Sequence, residues 1–154
     1  VYIRLTGSAN NPIVYKKDYE FTIGKSIKLK EGKDITIFCA GAMVYNSLEA
    51  AEKLKEKKID CSVINMHTIK PIDKDAIVKA CSHSKLLVSI EEHNIIGGLG
   101  SSISEKLVEI NNSPRLVTIG IEDTYSKGGS YNFLKEKHGL SVDKIVNKVV
   151  KSLK

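Results

Sequence analysis

From Asp34 onward the chain alternates between short β-branched apolar runs and longer stretches whose apolar residues recur every three or four positions. This rhythm predicts parallel strands joined by crossover helices, because a strand covered on both faces is apolar throughout, whereas a helix lying over it needs one apolar stripe. Four such units can be marked. Ile35-Thr36-Ile37-Phe38-Cys39 is the first strand, followed by Ala40-Gly41-Ala42 and a helix with Val44, Leu48, Ala51 and Leu54 on one face. The second strand, Cys61 to Met66, leads through His67-Thr68-Ile69-Lys70-Pro71-Ile72 to a helix capped by Asp73, with Ile77 and Ala80 turned inward. The third, Leu86 to Ile90, enters a glycine-bearing loop, after which Ser102 with Glu105 three residues later spells a capping box for a helix running through Val108. Leu116 to Ile121 is the fourth. The predicted fold class is α/β, a three-layer, mostly parallel sheet with crossover helices.

Beyond the fourth strand, Glu122 to Gly129 forms another loop at a strand's carboxyl end, and a short helix near Phe133 to Lys137 ends at Gly139. Ser141 is placed to cap a final helix whose apolar stripe is Val142, Ile145, Val149 and Leu153, so this segment should dock on the sheet. The start of the chain breaks the rhythm. Val1 to Leu5 reads as a strand, Thr6 to Tyr19 is rich in Gly, Asn and Pro, and two strand-like pieces around Phe21 to Ile23 and Ile27 to Leu29 read as a hairpin. Residues 1–33 are therefore taken as the end of a preceding unit plus linker and hairpin, and residues 34–154 as the domain proper. A strand already in progress at Val1 leads to the expectation that the chain begins inside a larger protein.

Composition narrows the function classes. With 154 residues, 42% hydrophobic and 27% charged, there is apolar mass for one core. Neither a run of about eighteen apolar residues nor a basic-then-apolar leader is visible, so no membrane partner is expected and the chain reads as cytoplasmic. Cys39, Cys61 and Cys81 are odd in number, widely spaced and set in apolar context, which fits reduced thiols rather than a disulfide framework or a metal knuckle. The net charge of +6 comes mostly from lysines, with two arginines and no tryptophan. That balance fits a solvated lysine surface, and no nucleic-acid partner is expected.

Glu91-Glu92-His93-Asn94-Ile95-Ile96-Gly97-Gly98-Leu99-Gly100 carries the densest chemistry, because an apolar strand ends there in carboxylates, an imidazole and glycines just before a helix. In an open α/β sheet such a junction lies at the carboxyl end of a strand, where ligands and partner surfaces gather. Gly97, Gly98 and Gly100 can bring backbone N–H groups to an anion at a helix amino terminus, or can simply let the helix pack closely on the sheet. His93 beside Glu91 and Glu92 suits a proton shuttle, a hydrogen bond to substrate, or an interface contact. His67 offers the same choice, and His83 and His138 sit where an imidazolium complements a helix carboxyl terminus. None of the four has metal-ligand spacing to another His or Cys. No nucleophile elbow, Gly-Lys-Ser/Thr phosphate signature or metalloprotease helix occurs, so no catalytic residue is assigned.

Three stretches, Ile35 to Gly41 with Met43-Val44, Val63 to Met66 with Thr68 to Asp73, and Glu91 to Gly100, resemble in order and spacing the carboxyl-terminal domain of transketolase-like thiamine diphosphate enzymes. The resemblance covers nearly all residues from Asp34 to Lys154 and is closest to the carboxyl-terminal half of split transketolases. It implies a parent enzyme that transfers a two-carbon ketol unit between phosphosugars with thiamine diphosphate and Mg2+, both bound by regions absent from this chain. It also implies partners: the remaining transketolase domains or an amino-terminal subunit, in a homodimer or heterotetramer. Val1 to Leu5 would then be the last strand of a pyrimidine-binding domain, and Arg4 a substrate-phosphate ligand, for which a planar guanidinium fork is suited. Glu91, His93, Gly97 and Gly98 would lie at the active-site entrance or a subunit interface. Alternatives are the same domain in a deoxyxylulose-phosphate synthase or a 2-oxo acid dehydrogenase β subunit, or a free-standing regulatory module cradling an anion at Gly97 to Ser102 and Gly128 to Ser130.

Overall fold

Ile35, Thr36, Ile37, Phe38 and Cys39 are all completely buried, because the strand they form is the centre of a five-stranded sheet with helices on both faces. The computed structural model describes residues 2–5 and 11–153. In chain order the elements are β1 (Ile27–Lys30), β2 (Ile35–Cys39), α1 (Met43–Glu56), β3 (Cys61–Asn65), α2 (Lys74–Cys81), β4 (Leu86–Asn94), α3 (Leu99–Leu107), β5 (Leu116–Ile121), α4 (Tyr131–Lys137) and α5 (Val142–Ser152). The spatial order is β1-β3-β2-β4-β5. β2 pairs in parallel with β3 and β4, β4 pairs in parallel with β5, and β1 runs antiparallel to β3. The three-layer, mostly parallel architecture read from the alternation is the one observed.

The period of two along each strand divides the core into two layers. Ile35, Ile37, Cys39, Val63, Val88, Ile90 and Ile119 pack with α1 and α5, whereas Phe38, Ile64, Leu87 and Met66 pack with α2 and α3. Each fully buried Leu or Ile contributes roughly 1.5–3 kcal/mol relative to exposure, so the paired layers dominate stability. Asp73 caps α2 as expected, its carboxylate accepting from Ala76 N at 3.2 Å. Among the described residues no helix is long and apolar enough to cross a membrane.

Several local expectations are corrected. Residues 2–5 belong to no strand: Tyr2, Ile3 and Leu5 are 74–89% exposed, and a strand needs a neighbour to take its ladder hydrogen bonds. Val1 and residues 6–10 lie outside the described residues. The hairpin does not form, because Ile23 and Gly24 make a turn and β1 finds its partner across the sheet in β3 (Ile27 beside Asn65, Lys28 beside Ile64). The sheet therefore begins upstream of Asp34. β4 continues through Asn94 rather than ending at Ile90. The Ser102/Glu105 capping box is absent, since α3 has already begun at Leu99 and Ser102 N bonds within the helix to Gly98 O at 3.1 Å. Ser141 is the residue before α5, but its hydroxyl donates to Glu136 instead of capping. The buried stripe of α5 is Ile145, Val146 and Val149, with Leu153 43% exposed just past the helix end.

Candidate functional site

The carboxyl ends of β3, β4 and β5 form one edge of the sheet, and the polar chemistry there is organised around Glu91. This side chain is only 4% exposed, although carboxylates rarely enter a core without partners. Its Oε2 accepts from Leu99 N at 2.6 Å and its Oε1 from Gly100 N at 2.9 Å. Glu91 thus supplies from a neighbouring strand the amino-terminal cap that α3 lacks locally, and its negative charge meets the positive end of the helix dipole.

The glycines make this contact possible. A Cβ at Gly98 would stand 2.1 Å from Glu91 Oε2 and 2.7 Å from Asn94 O. At Gly100 it would meet Thr118 Cγ2 at 2.6 Å and Ser89 Oγ at 2.8 Å, so this glycine seats α3 directly on β4 and β5. Gly97 has φ +74° and open space around it, which makes it a turn residue. The turn is also braced by side chains of its own. Ile96 N donates to Asn94 Oδ1, Gly97 N donates to Ser101 Oγ, and Ser101 Oγ donates to Ile95 O. Gly98 and Gly100 act by close packing, and the N–H groups of Gly97, Leu99 and Gly100 are already engaged by Ser101 and Glu91. In the second proposed cradle, Ser130 Oγ accepts from Phe133 N and caps α4.

His93 is exposed near the end of β4, with Nδ1 2.9 Å from Asn94 O. Neither adjacent carboxylate is bonded to it among the described residues. Glu92 instead accepts from Tyr131 Oη at 3.1 Å, tying β4 to α4. Burial first, then the charge and hydrogen bond of Glu92, push the Tyr131 hydroxyl up to about 12, so it acts as a donor at neutral pH. Asn94 Nδ2 donates to Asp123 Oδ1 at 3.0 Å, and Ser126 is hydrogen-bonded to His138, so the loop after β5 is fastened on both sides. Arg4 is exposed, and no hydrogen bond or ion pair joins it to this loop among the described residues.

The residues that sequence reasoning missed lie ahead of the first strand. The segment carrying Tyr15, Tyr19 and Phe21 folds against the end of β3: Tyr15 and Tyr19 stack with centroids 4.0 Å apart, and Phe21 lies 4.5 Å from the His67 ring. Asn65 Nδ2 donates to Tyr15 Oη at 2.6 Å. His67 Nδ1 lies 2.9 Å from Thr68 Oγ1, while His67 Nε2 and Asn65 Oδ1 are buried without partners. Burial lowers the His67 pKa, opposed by the charge of Asp73, so the ring is held neutral. Three aromatics within seven residues of a polar linker were the available signal.

Large apolar side chains crowd this same edge. Phe21 (57% exposed), Ile23 and Ile69 stand beyond β3, Ile96 (67%) beyond β4, and Tyr125 and Phe133 (55%) beyond β5. The described residues contain no cluster of three His, Cys, Asp or Glu able to hold a metal ion. With the α3 amino terminus filled by Glu91, they do not compose a seat for a diphosphate and its divalent cation.

A family model described as the transketolase C-terminal domain matches residues 24–145. The chain is 40% identical over 146 residues to the 6-deoxy-6-sulfo-D-fructose transketolase subunit SqwH of Clostridium sp. (strain MSTE9), covering 95% of this chain and 45% of that protein. It is 38% identical to one of the subunits of the apulose-4-phosphate transketolase of Actinobacillus succinogenes, covering 96% of this chain and 47% of that protein. Among solved structures it superposes on a split-gene transketolase, described as an inactive β4 tetramer, with a TM-score of 0.86 at 37% identity over 92% of this chain and 46% of that one. The chain thus spans about half the length of these relatives. The chain belongs to the transketolase C-terminal domain family.

Proposed function

We propose that this chain works as the carboxyl-terminal part of a split transketolase, joining subunits and shaping the active-site entrance while other polypeptide supplies the cofactor chemistry. The observation that carries this reading is the exposed apolar belt of Phe21, Ile69, Ile96 and Phe133 along the carboxyl edge, set around a turn that Glu91 holds from within. A rigid turn presenting apolar and imidazole side chains is fitted to a protein surface, because little ordering entropy is lost on docking. The parent enzyme transfers a two-carbon ketol unit between phosphosugars, with thiamine diphosphate and Mg2+ held by the other domains or an amino-terminal subunit, in a homodimer or heterotetramer. Residues ahead of the sheet end a pyrimidine-binding domain, where Arg4 grips the substrate phosphate through its planar fork. A cytoplasmic setting keeps the three thiols reduced.

Reconstitution tests this. The chain with thiamine diphosphate and Mg2+ gives no ketol transfer alone and gains it when mixed with the polypeptide carrying the missing half. Ile96→Asp and Phe133→Asp weaken the complex in sedimentation velocity by about tenfold or more, as expected for charges placed in an apolar contact. His93→Ala changes assembly or substrate KM more than the rate of cofactor deprotonation. Turnover by the chain alone, or assembly indifferent to both Asp variants, refutes the reading.

A further inference from the structure

A second concave feature lies on the α2 face of the sheet, between that helix and the edge strand β1. Here Ala76, Lys79, Ala80 and His83 recur at helical spacing along α2 and its exit, opposite Lys28 of β1 and Ile64 of β3, around a cavity of about 100 Å3. The cavity exists for a sequence reason. Ala76 and Ala80 present only methyl groups where α2 faces the strands, so the helix leaves a gap above Ile64 that a longer side chain would close.

We propose that this groove binds a small organic carboxylate, in a site independent of the carboxyl-edge interface. Its floor of Ile64, Ala76 and Ala80 is apolar, while Lys28, Lys79 and His83 stand at its rim. No acidic side chain lines it. Asp73 lies at one end with its carboxylate already satisfied, accepting from Ser26 N at 2.7 Å, Ser26 Oγ at 2.9 Å and Ala76 N. Lys28 is shared with Glu31 at 3.0 Å, whereas Lys79 is in no ion pair among the described residues and is the principal cation available. A volume of about 100 Å3 equals roughly three waters at ~30 Å3 each, the size of a carboxylate on a chain of one to three carbons. Such a molecule places methylenes on the alanine floor and its oxygens toward Lys79, recovering apolar burial and charge pairing together.

Titration of the 15N-labelled protein with sodium propionate at constant ionic strength, against sodium chloride and inorganic phosphate, tests the site. Saturable amide shifts at Lys28, Ala76, Lys79 and His83 with a millimolar Kd are expected. Ala76→Leu fills the floor and Lys79→Glu reverses the rim, and each should weaken propionate binding by about tenfold or more. Lys79 is exposed, so K79E keeps the fold intact and the test stands even where A76L unfolds. Shifts that grow linearly and match those with chloride, phosphate binding more tightly than propionate at the same residues, or K79E binding propionate as well as the parent would each overturn the proposal.

Discussion

Glu91 Oε2 sits 2.6 Å from the backbone N of Leu99, eight residues further along the chain, and joins a buried position of β4 to the first residue of α3. The same carboxylate takes Gly100 N, so two of the four N–H groups left open at the start of α3 are satisfied by a side chain from another element. The turn between them becomes a rigid bracket on which His93 and Ile96 are displayed.

Removing the carboxylate should loosen this bracket. Glu91→Ala leaves two buried N–H groups without acceptors and is expected to cost about 2–4 kcal/mol, while Glu91→Gln keeps one acceptor oxygen and costs about 1–2 kcal/mol. Urea denaturation monitored by circular dichroism measures both. Equal losses for the two variants would assign the effect to packing rather than hydrogen bonding.

The glycines of the turn should separate by mechanism. Gly100→Ala forces α3 away from Thr118 and Ser89 and is expected to cost about 1–3 kcal/mol, and Gly98→Ala expels the Glu91 carboxylate with a similar or larger loss. Gly97→Ala meets no atoms but must hold φ +74°, at a cost of about 1 kcal/mol. Gly128→Ala has open space and no positive φ, so thermal melting should find it within about 0.5 kcal/mol of the parent.

Acid should release the α2 cap. Burial raises the Asp73 pKa, but the hydrogen bonds from Ser26 and Ala76 outweigh it and bring the carboxyl below its ordinary 3.8. A depressed carboxyl pKa stabilises the fold above pH 3.8, and that contribution is lost as pH falls through the lower native value. Asp73→Asn should therefore flatten the stability profile below about pH 4 and leave its slope near neutrality unchanged. His67 acts in a separate window, since a base held neutral by burial loses stability as pH falls below 6.5. Unfolding free energies from pH 2.5 to 8 for the parent, D73N and H67N resolve the two, and an unaltered acid limb in D73N would reject the Asp73 assignment.

Thiol reactivity should follow burial. Cys39 and Cys61 are fully buried, and desolvation first of all pushes both thiols up to about 12. Cys81 is partly exposed at the end of α2. Labelling the native protein with an aromatic disulfide at pH 8 should modify Cys81 first and reach the other two only in denaturant, and a C81S variant should show almost no rapid phase. Rapid modification of Cys39 would reveal an opening of the central strand.

Hydrophobic periodicity was sufficient for the architecture, because covering a sheet on both faces demands continuous apolar strands such as Ile35–Cys39 and one-sided helices such as α1, and that demand is written locally. The same holds for Asp73, whose cap lies within four residues of its partner. Contacts between distant segments carry no such local signature. Nothing around Ile27 announces that its strand mate is Asn65, nothing around Glu91 announces that it replaces a capping box at Ser102, and nothing around Phe21 announces that it will lie on His67. Sequence alone determined which residues are core, which are helix and which loop carries glycines and carboxylates. Tertiary structure decided what those groups do, since a helix terminus accepts whichever oxygen the packing brings to it, and here packing brought one from a neighbouring strand.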